Sequence, residues 1–198
     1  MIKAVLFDLD GVLVDAVRLH QQAFIEALSP NRYITEEEHM RDLNGLPTKK
    51  KLEKLNIPEE LRENIYNRKQ EITFRIIPKF ISPISQVTST IQKIKELGIK
   101  FAVCSNSIRK STELLLKHGG VDGFEFFLSN QDVTNPKPDP EIYLKAMEKL
   151  GLDKSEVIIV EDAPVGLQAA YNSGAKVFRV NNPYELNKLI DFLNDYNN

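Results

Sequence analysis

The sequence predicts an α/β protein: a doubly wound parallel sheet with a small all-helical segment inserted after the first strand. Three features of the chain carry that reading. Short, predominantly apolar runs recur and each ends in polar residues. Stretches with helical spacing of apolar residues lie between them. One long stretch, rich in Glu, Lys, Arg and Gln, contains no such run. Strands alternating with helices build parallel sheets covered by helices on both faces.

Ala4–Phe7 is the first apolar run and ends in Asp8-Leu9-Asp10-Gly11. A strand without polar residues suits a position buried on both faces. From about residue 15 to residue 79 the chain is polar with helical spacing. Within it, Thr35-Glu36-Glu37-Glu38 has the form of a capping box, and Ile57-Pro58-Glu59-Glu60 reads as a second helix start. Residues 15–79 are therefore expected to form a helical insert, with Pro78 and Pro83 bracketing the return to the sheet. Residues 99–104 and 157–160 are two further buried strands, ending in Ser105-Asn106-Ser107 and Glu161-Asp162. Helices are expected over 87–97, 108–118 and 140–150, stopped by Gly98, Gly119 and Gly151. Residues 1–14 and 80–198 would then make the core.

The 198 residues hold 26 Lys plus Arg against 28 Asp plus Glu, a net charge of −2. That length suits one domain, or a compact core with a smaller insert, and not two full domains. The charge balance argues against a nucleic-acid partner, which calls for a basic excess. A single cysteine, Cys104, excludes an internal disulfide and any CxxC motif, and fits a reducing compartment. The first apolar run is cut by Asp8, too soon for a signal-peptide core or a membrane span. A cytoplasmic protein, monomeric and free of membrane and nucleic acid, is the expectation. Neither GxGxxG nor GxxxxGK occurs.

In open α/β sheets, ligands bind beyond the carboxyl ends of the strands, where this chain concentrates its polar residues. Asp8 and Asp10 also suit a turn, and Glu161 and Asp162 also suit a helix cap. Adjacent strand ends would nevertheless gather up to four carboxylates, and two charges 4 Å apart repel by roughly 4 kcal/mol at an effective dielectric near 20. Oxygen donors without nearby Cys or His select a hard cation, Mg²⁺ first among them. Lys137, in Asn135-Pro136-Lys137-Pro138-Asp139-Pro140, is held between prolines ahead of a helix that Asp139 would cap and Pro140 would start, which calls for an anionic partner. Ser105 offers a hydroxyl and backbone N–H groups to phosphate oxygens, or is a simple helix cap. Cys104 reads as buried packing. His118 at a helix end and His39 in an acidic helical stretch carry no assigned role.

The set Asp8-Leu9-Asp10-Gly11-Val12-Leu13-Val14-Asp15, Ser105, Lys137-Pro138-Asp139-Pro140 and Glu161-Asp162-Ala163-Pro164-Val165-Gly166 resembles the haloacid dehalogenase superfamily. The similarity is to the branch containing β-phosphoglucomutase and small sugar-phosphate phosphatases, and it spans the chain. The resemblance implies a Rossmann-like core with a helical cap and a phosphoryl-transfer mechanism. Asp8 would be the nucleophile and Asp10 the general acid and base. Mg²⁺ would be held by Asp8, the Asp10 backbone carbonyl and Asp162, with Glu161 as a further ligand or as support. Ser105, the Asn106 backbone and Lys137 would hold the phosphoryl oxygens. His20, Lys49 in the loop Gly45-Leu46-Pro47-Thr48-Lys49, and Arg75 are the candidates for contacting a small phosphorylated metabolite. Ala16 stands where relatives carry Ser or Thr, so no hydroxyl is available there. The implied activity is a Mg²⁺-dependent phosphatase of small phosphorylated metabolites. The alternatives are a hexose-phosphate mutase and, more remotely, a receiver-type phosphoacceptor module. Receivers, however, carry the adjacent acid pair after the first strand, whereas here it comes late.

Overall fold

The computed structural model describes residues 1–197. Strands β1 (Ala4–Phe7), β2 (Lys100–Cys104), β3 (Phe127–Leu128), β4 (Val157–Glu161) and β5 (Lys176–Arg179) form one all-parallel sheet in the order β3-β2-β1-β4-β5. The chain leaves β1 toward β2 and β3 on one side, then crosses to β4 and β5 on the other. That reversal of direction beside β1 is the crevice in which such sheets bind ligands.

Alternation along the strands sorts the core into two layers. Val5 and Phe7 share one face with Phe101, Val103, Ile158 and Val160, while Leu6 shares the other with Ala102, Cys104 and Ile159. All of them are buried. Phe7 pairs in register with Val103 and with Val160, so three strands end level with one another. Whatever follows Phe7, Cys104 and Val160 therefore meets at one place.

The first face shares one continuous apolar core with α1 (Val17–Leu28), α4 (Glu59–Phe80), α5 (Ser85–Glu96), α6 (Arg109–Gly119) and α9 (Lys188–Asn197). The second lies under α7 (Glu141–Leu150) and α8 (Pro164–Ser173). Between β1 and β2, α1 is followed by α2 (Glu36–Asp42), α3 (Thr48–Lys54) and α4, with no strand among them. The expected capping box forms: Thr35 Oγ1 accepts the Glu38 N–H at 3.0 Å and the Glu38 carboxylate accepts the Thr35 N–H at 2.8 Å.

Three local expectations are corrected. Pro78 does not close the helical segment, because α4 runs through it to Phe80. A proline so near the end removes only one helical hydrogen bond, and the Ile81 N–H still reaches the Ile77 carbonyl. Helix α7 starts at Glu141 rather than Pro140, so Pro140 and not Asp139 stands at its N-cap, while the Asp139 carboxylate accepts the Glu141 N–H at 2.9 Å from one residue further out. Helix α6 includes Gly119, and Gly120 at φ +65° supplies its left-handed stop.

Candidate active site

Strand β1 delivers Asp8 to the level strand ends, where its N–H still pairs with the Val160 carbonyl at 3.0 Å. The chain then turns over residues 9–14. Gly11, at φ +96°, takes a conformation that L side chains rarely adopt, and a Cβ there would overlap the Asp162 carboxylate. Lys137 reaches the same point from the loop before α7. Its Nζ donates to Asp8 Oδ1 at 2.7 Å, Glu161 Oε1 at 2.6 Å and the Cys104 carbonyl at 2.9 Å. An ammonium has three protons, and all three are matched by protein acceptors. The anionic partners that its setting calls for are thus two carboxylates of the chain itself.

Glu161 also accepts the Tyr143 hydroxyl at 2.5 Å and the Asp162 N–H at 3.2 Å. Its carboxylate lies against Gly166, where any Cβ would collide with it. Burial first, then Glu161, push the Asp8 carboxyl well above the usual carboxylate range despite Lys137. The same two causes take Asp162 up to about 7. For Lys137, burial opposes the charge, but Asp8 and Glu161 outweigh it and raise its pKa. Cys104 is buried packing as expected, and burial lifts its thiol to about 12.

Asp10 takes different partners. Its Oδ1 meets His20 Nε2 at 3.0 Å, and its Oδ2 accepts the Ser107 hydroxyl at 3.0 Å. Burial alone would raise its carboxyl, yet His20 and Ser107 together hold it below the ordinary value. Behind His20, Lys69 Nζ lies 3.3 Å from Nδ1. A neutral imidazole with its proton on Nε2 satisfies both contacts. Ala16 is buried and has no hydroxyl to offer Asp10, whose two oxygens are already occupied.

A cavity of about 370 Å³ opens over these groups, with Asp8, Asp10, Asn106 and Lys137 on the sheet side and His20 and Lys49 on the helical side. Asn106 ties the loops together: its Nδ2 donates to the Gly45 and Lys137 carbonyls and its Oδ1 accepts the Lys137 N–H. Ser105 is fully buried beneath the cavity, where its Oγ accepts the Ser107 N–H at 3.0 Å. Of the two serines, Ser107 is the one that brings its hydroxyl to the cavity wall. Lys49 stands 5.6 Å from the Tyr66 ring centre. Arg75 lies apart from the site, exposed and paired with Glu26 at 3.2 Å. On α4 the residues lining the cavity include Tyr66, Lys69 and Gln70, and Lys69, six positions before Arg75, points roughly 120° away from it around the helix.

Lys51, Lys69 and Tyr143 carry no role in the sequence reading. Lys51 is the last of Lys49-Lys50-Lys51 and Lys69 is one of many basic residues on a polar helix, so neither is distinguishable from a solvated lysine before folding. Tyr143 looks like one more apolar residue of α7. Ser107 had a signal, its place two residues after Ser105 at a strand end.

The acid cluster meets the requirements of a cation site. Oxygens of Asp8, Glu161 and Asp162 lie within 4.8 Å of one another. Asp162 Oδ1 is buried without a hydrogen-bond partner, an orphaned acceptor that a cation would satisfy. With Lys137 set against the three carboxylates, two negative charges remain when all are ionised. All donors are oxygen, which suits a hard divalent ion.

The chain matches the family described as haloacid dehalogenase-like hydrolase across residues 5–180. A phosphorylated carbohydrates phosphatase of Thermotoga maritima is 32% identical over 178 residues, covering 87% of this chain and 82% of that one. Pyrophosphatase PpaX of Halalkalibacterium halodurans is 32% identical over 180 residues, covering 88% and 81%. Among solved structures, a β-phosphoglucomutase of Clostridium difficile superposes with a TM-score of 0.83 at 25% identity over 99% of both chains. A hydrolase from Pseudomonas syringae gives 0.86 at 21% identity over 98% and 99%, a likeness of fold. The paired aspartates after β1, the buried lysine and the acid pair after β4 thus stand in a matching fold and sequence, and the chain belongs to the haloacid dehalogenase-like hydrolase family.

Proposed function

We propose that the protein is a Mg²⁺-dependent phosphatase of small phosphorylated metabolites that works through a phosphoryl group on Asp8. The observation that carries this reading is the pairing of Asp8 with Lys137 at the floor of the cavity, beside an Asp10 fixed at both oxygens. A phosphorylated carbohydrate is the substrate named for the Thermotoga maritima relative, and we take the same class for this chain.

Lys137 occupies Asp8 Oδ1, which leaves Oδ2 to attack phosphorus. The Oδ2–P bond forms as the ester P–O bond breaks, and the leaving oxygen takes a proton from Asp10, which has received it from the substrate's monoanionic phosphate on binding. Water then attacks phosphorus, its proton passes to the Asp10 carboxylate, and the Oδ2–P bond breaks to release phosphate. His20 and Ser107 hold the Asp10 carboxylate in place between the two proton transfers. The Asn106 backbone meets the phosphoryl oxygens from the cavity wall, and Ser105 fixes that loop from below. Mg²⁺, held by Asp8, Asp162 and the Asp10 backbone carbonyl with Glu161 beside them, supplies positive charge that offsets the carboxylates and the phosphoryl oxygens.

The test is hydrolysis of p-nitrophenyl phosphate with and without Mg²⁺, in the parent and in Asp8→Asn. Turnover should require Mg²⁺ and fall by about a thousandfold or more in the variant. Undiminished turnover by Asp8→Asn removes the nucleophile from the scheme. The likeness to the β-phosphoglucomutase along both chains supports a second reading, a hexose-phosphate mutase. Incubation with β-glucose 1-phosphate separates them: free phosphate marks the hydrolase, and glucose 6-phosphate without matching phosphate release marks the mutase.

A further inference from the structure

Two lysines on the helical wall of the cavity have no anionic partner among the described residues. Lys51 on α3 and Lys69 on α4 are each only 6% exposed, and both line the cavity. Neither forms an ion pair among the described residues. Lys51 Nζ lies 3.0 Å from His39 Nε2 and 5.2 Å from the Phe24 ring centre, and Lys69 Nζ faces His20. Beside them Gln70, 7% exposed, leaves its Oε1 buried and unpartnered, and Gln70 lines the same cavity. Burial, followed for Lys51 by the neighbouring Lys69, pulls the two ammonium groups down to about 7 and about 8.

A buried charge without a counter-charge is costly, and proteins pair it or remove it. The sheet side of the same cavity shows the paired solution, with Lys137 between Asp8 and Glu161. On the helical side no described residue supplies the compensating anion, so it has to come with the ligand. The attraction of both lysines to Asp10 does not satisfy them, because His20 and Ser107 already occupy its oxygens.

We infer that Lys51 and Lys69 form a second anion subsite, so that the preferred substrate carries a compact oxyanion, a carboxylate or a second phosphate, in addition to the phosphoryl group that goes to Asp8. His39 and Phe24 hold Lys51 in this subsite from behind, and Lys69 joins it to the His20–Asp10 pair. The inference rests on the phosphatase reading for the position of the transferred phosphoryl group. The subsite itself is a binding property and can be measured without turnover.

The experiment is calorimetric titration of an Asp8→Asn protein, saturated with Mg²⁺, with two matched pairs of ligands. Phosphoglycolate is set against 2-hydroxyethyl phosphate, and propane-1,3-diyl bisphosphate against 3-hydroxypropyl phosphate. The doubly anionic member of at least one pair should bind tenfold or more tightly than its neutral-tailed counterpart, and which pair shows the preference identifies the second group. Adding Lys51→Met should reduce that preference to less than threefold, and Lys51→Gln serves the same purpose should Lys51→Met fail to fold. Equal binding within both pairs overturns the subsite, as does a preference that survives loss of the Lys51 charge. A preference found in a protein whose parent hydrolyses no phosphate ester keeps the subsite and removes the phosphatase reading. Hydrolysis without any preference does the reverse.

Discussion

Lys137 gives its three protons to Asp8, Glu161 and the Cys104 carbonyl in a place almost closed to water. Removing the ammonium leaves two carboxylates buried together. Lys137→Met should therefore cost about 3–5 kcal/mol of stability, read as a lowered urea midpoint. A loss below about 1 kcal/mol would show that the cluster does not depend on this charge. Gly166 makes a second demand, because the Glu161 carboxylate occupies the space of its missing side chain. Gly166→Ala should displace Glu161 and destabilise by about 1–3 kcal/mol. Turnover should fall with it, and an unchanged melting temperature would refute the contact. The sequence declared Asp8, Asp10, Lys137 and the acid pair because strand-end acids and a proline-flanked lysine are unusual. It could not single out Lys51 or Lys69, whose burial depends on α3 and α4 closing over α1.

At the scale of elements, the apolar runs of the central strands were readable and the sheet edges were not. Strands β1, β2 and β4 are buried on both faces, so apart from Lys100 at the exposed start of β2 and Glu161 at the site end of β4 their residues are apolar. Strand β5 reads Lys-Val-Phe-Arg and is only half buried at the edge, and β3 has two residues, so neither leaves a pattern to detect. Helix signals fared well where a cap is written locally, as at Thr35 and Pro58. Helix α2 has seven residues and presents His39 to Lys51, so its cap bears on the site. Thr35→Ala should cost about 1 kcal/mol by loss of the cap, measured by thermal or urea unfolding. The placement of Arg75 away from the cavity shows the limit of matching positions along a helix. A shift of a few residues turns a side chain to the opposite face.

For the whole molecule, a net charge of −2 conceals two opposed fields: an acid cluster at the strand ends and uncompensated lysines across the cavity. Stability should depend on pH accordingly. Burial, aided by Lys51, takes His39 from 6.5 down to about 3. Between those values the unfolded chain binds a proton there that the folded chain does not, so stability is lost as pH falls through this window. Asp162, raised to about 7, works in the other sense: the folded metal-free protein holds a proton that the unfolded chain has released, and that contribution is lost as pH rises toward 7. The parent should lose about 1–2 kcal/mol more than His39→Gln between about pH 7 and about pH 5, and parallel pH profiles would contradict the assignment. Adding Mg²⁺ should raise the melting temperature of the parent by binding the folded state. The rise should shrink in Asp162→Asn, and an equal rise in both would place the cation elsewhere. Phosphoryl transfer to Asp8, the central claim, is tested most directly in Asp10→Asn with p-nitrophenyl phosphate. The nitrophenolate leaves without a proton, so the first step should proceed, whereas water lacks its base and the second should stall. The expected result is a stoichiometric burst of nitrophenol, with the phosphoryl group found on Asp8 by peptide mass spectrometry after acid quench. Steady turnover equal to the parent's, or a phosphoryl group on any other residue, would contradict the account.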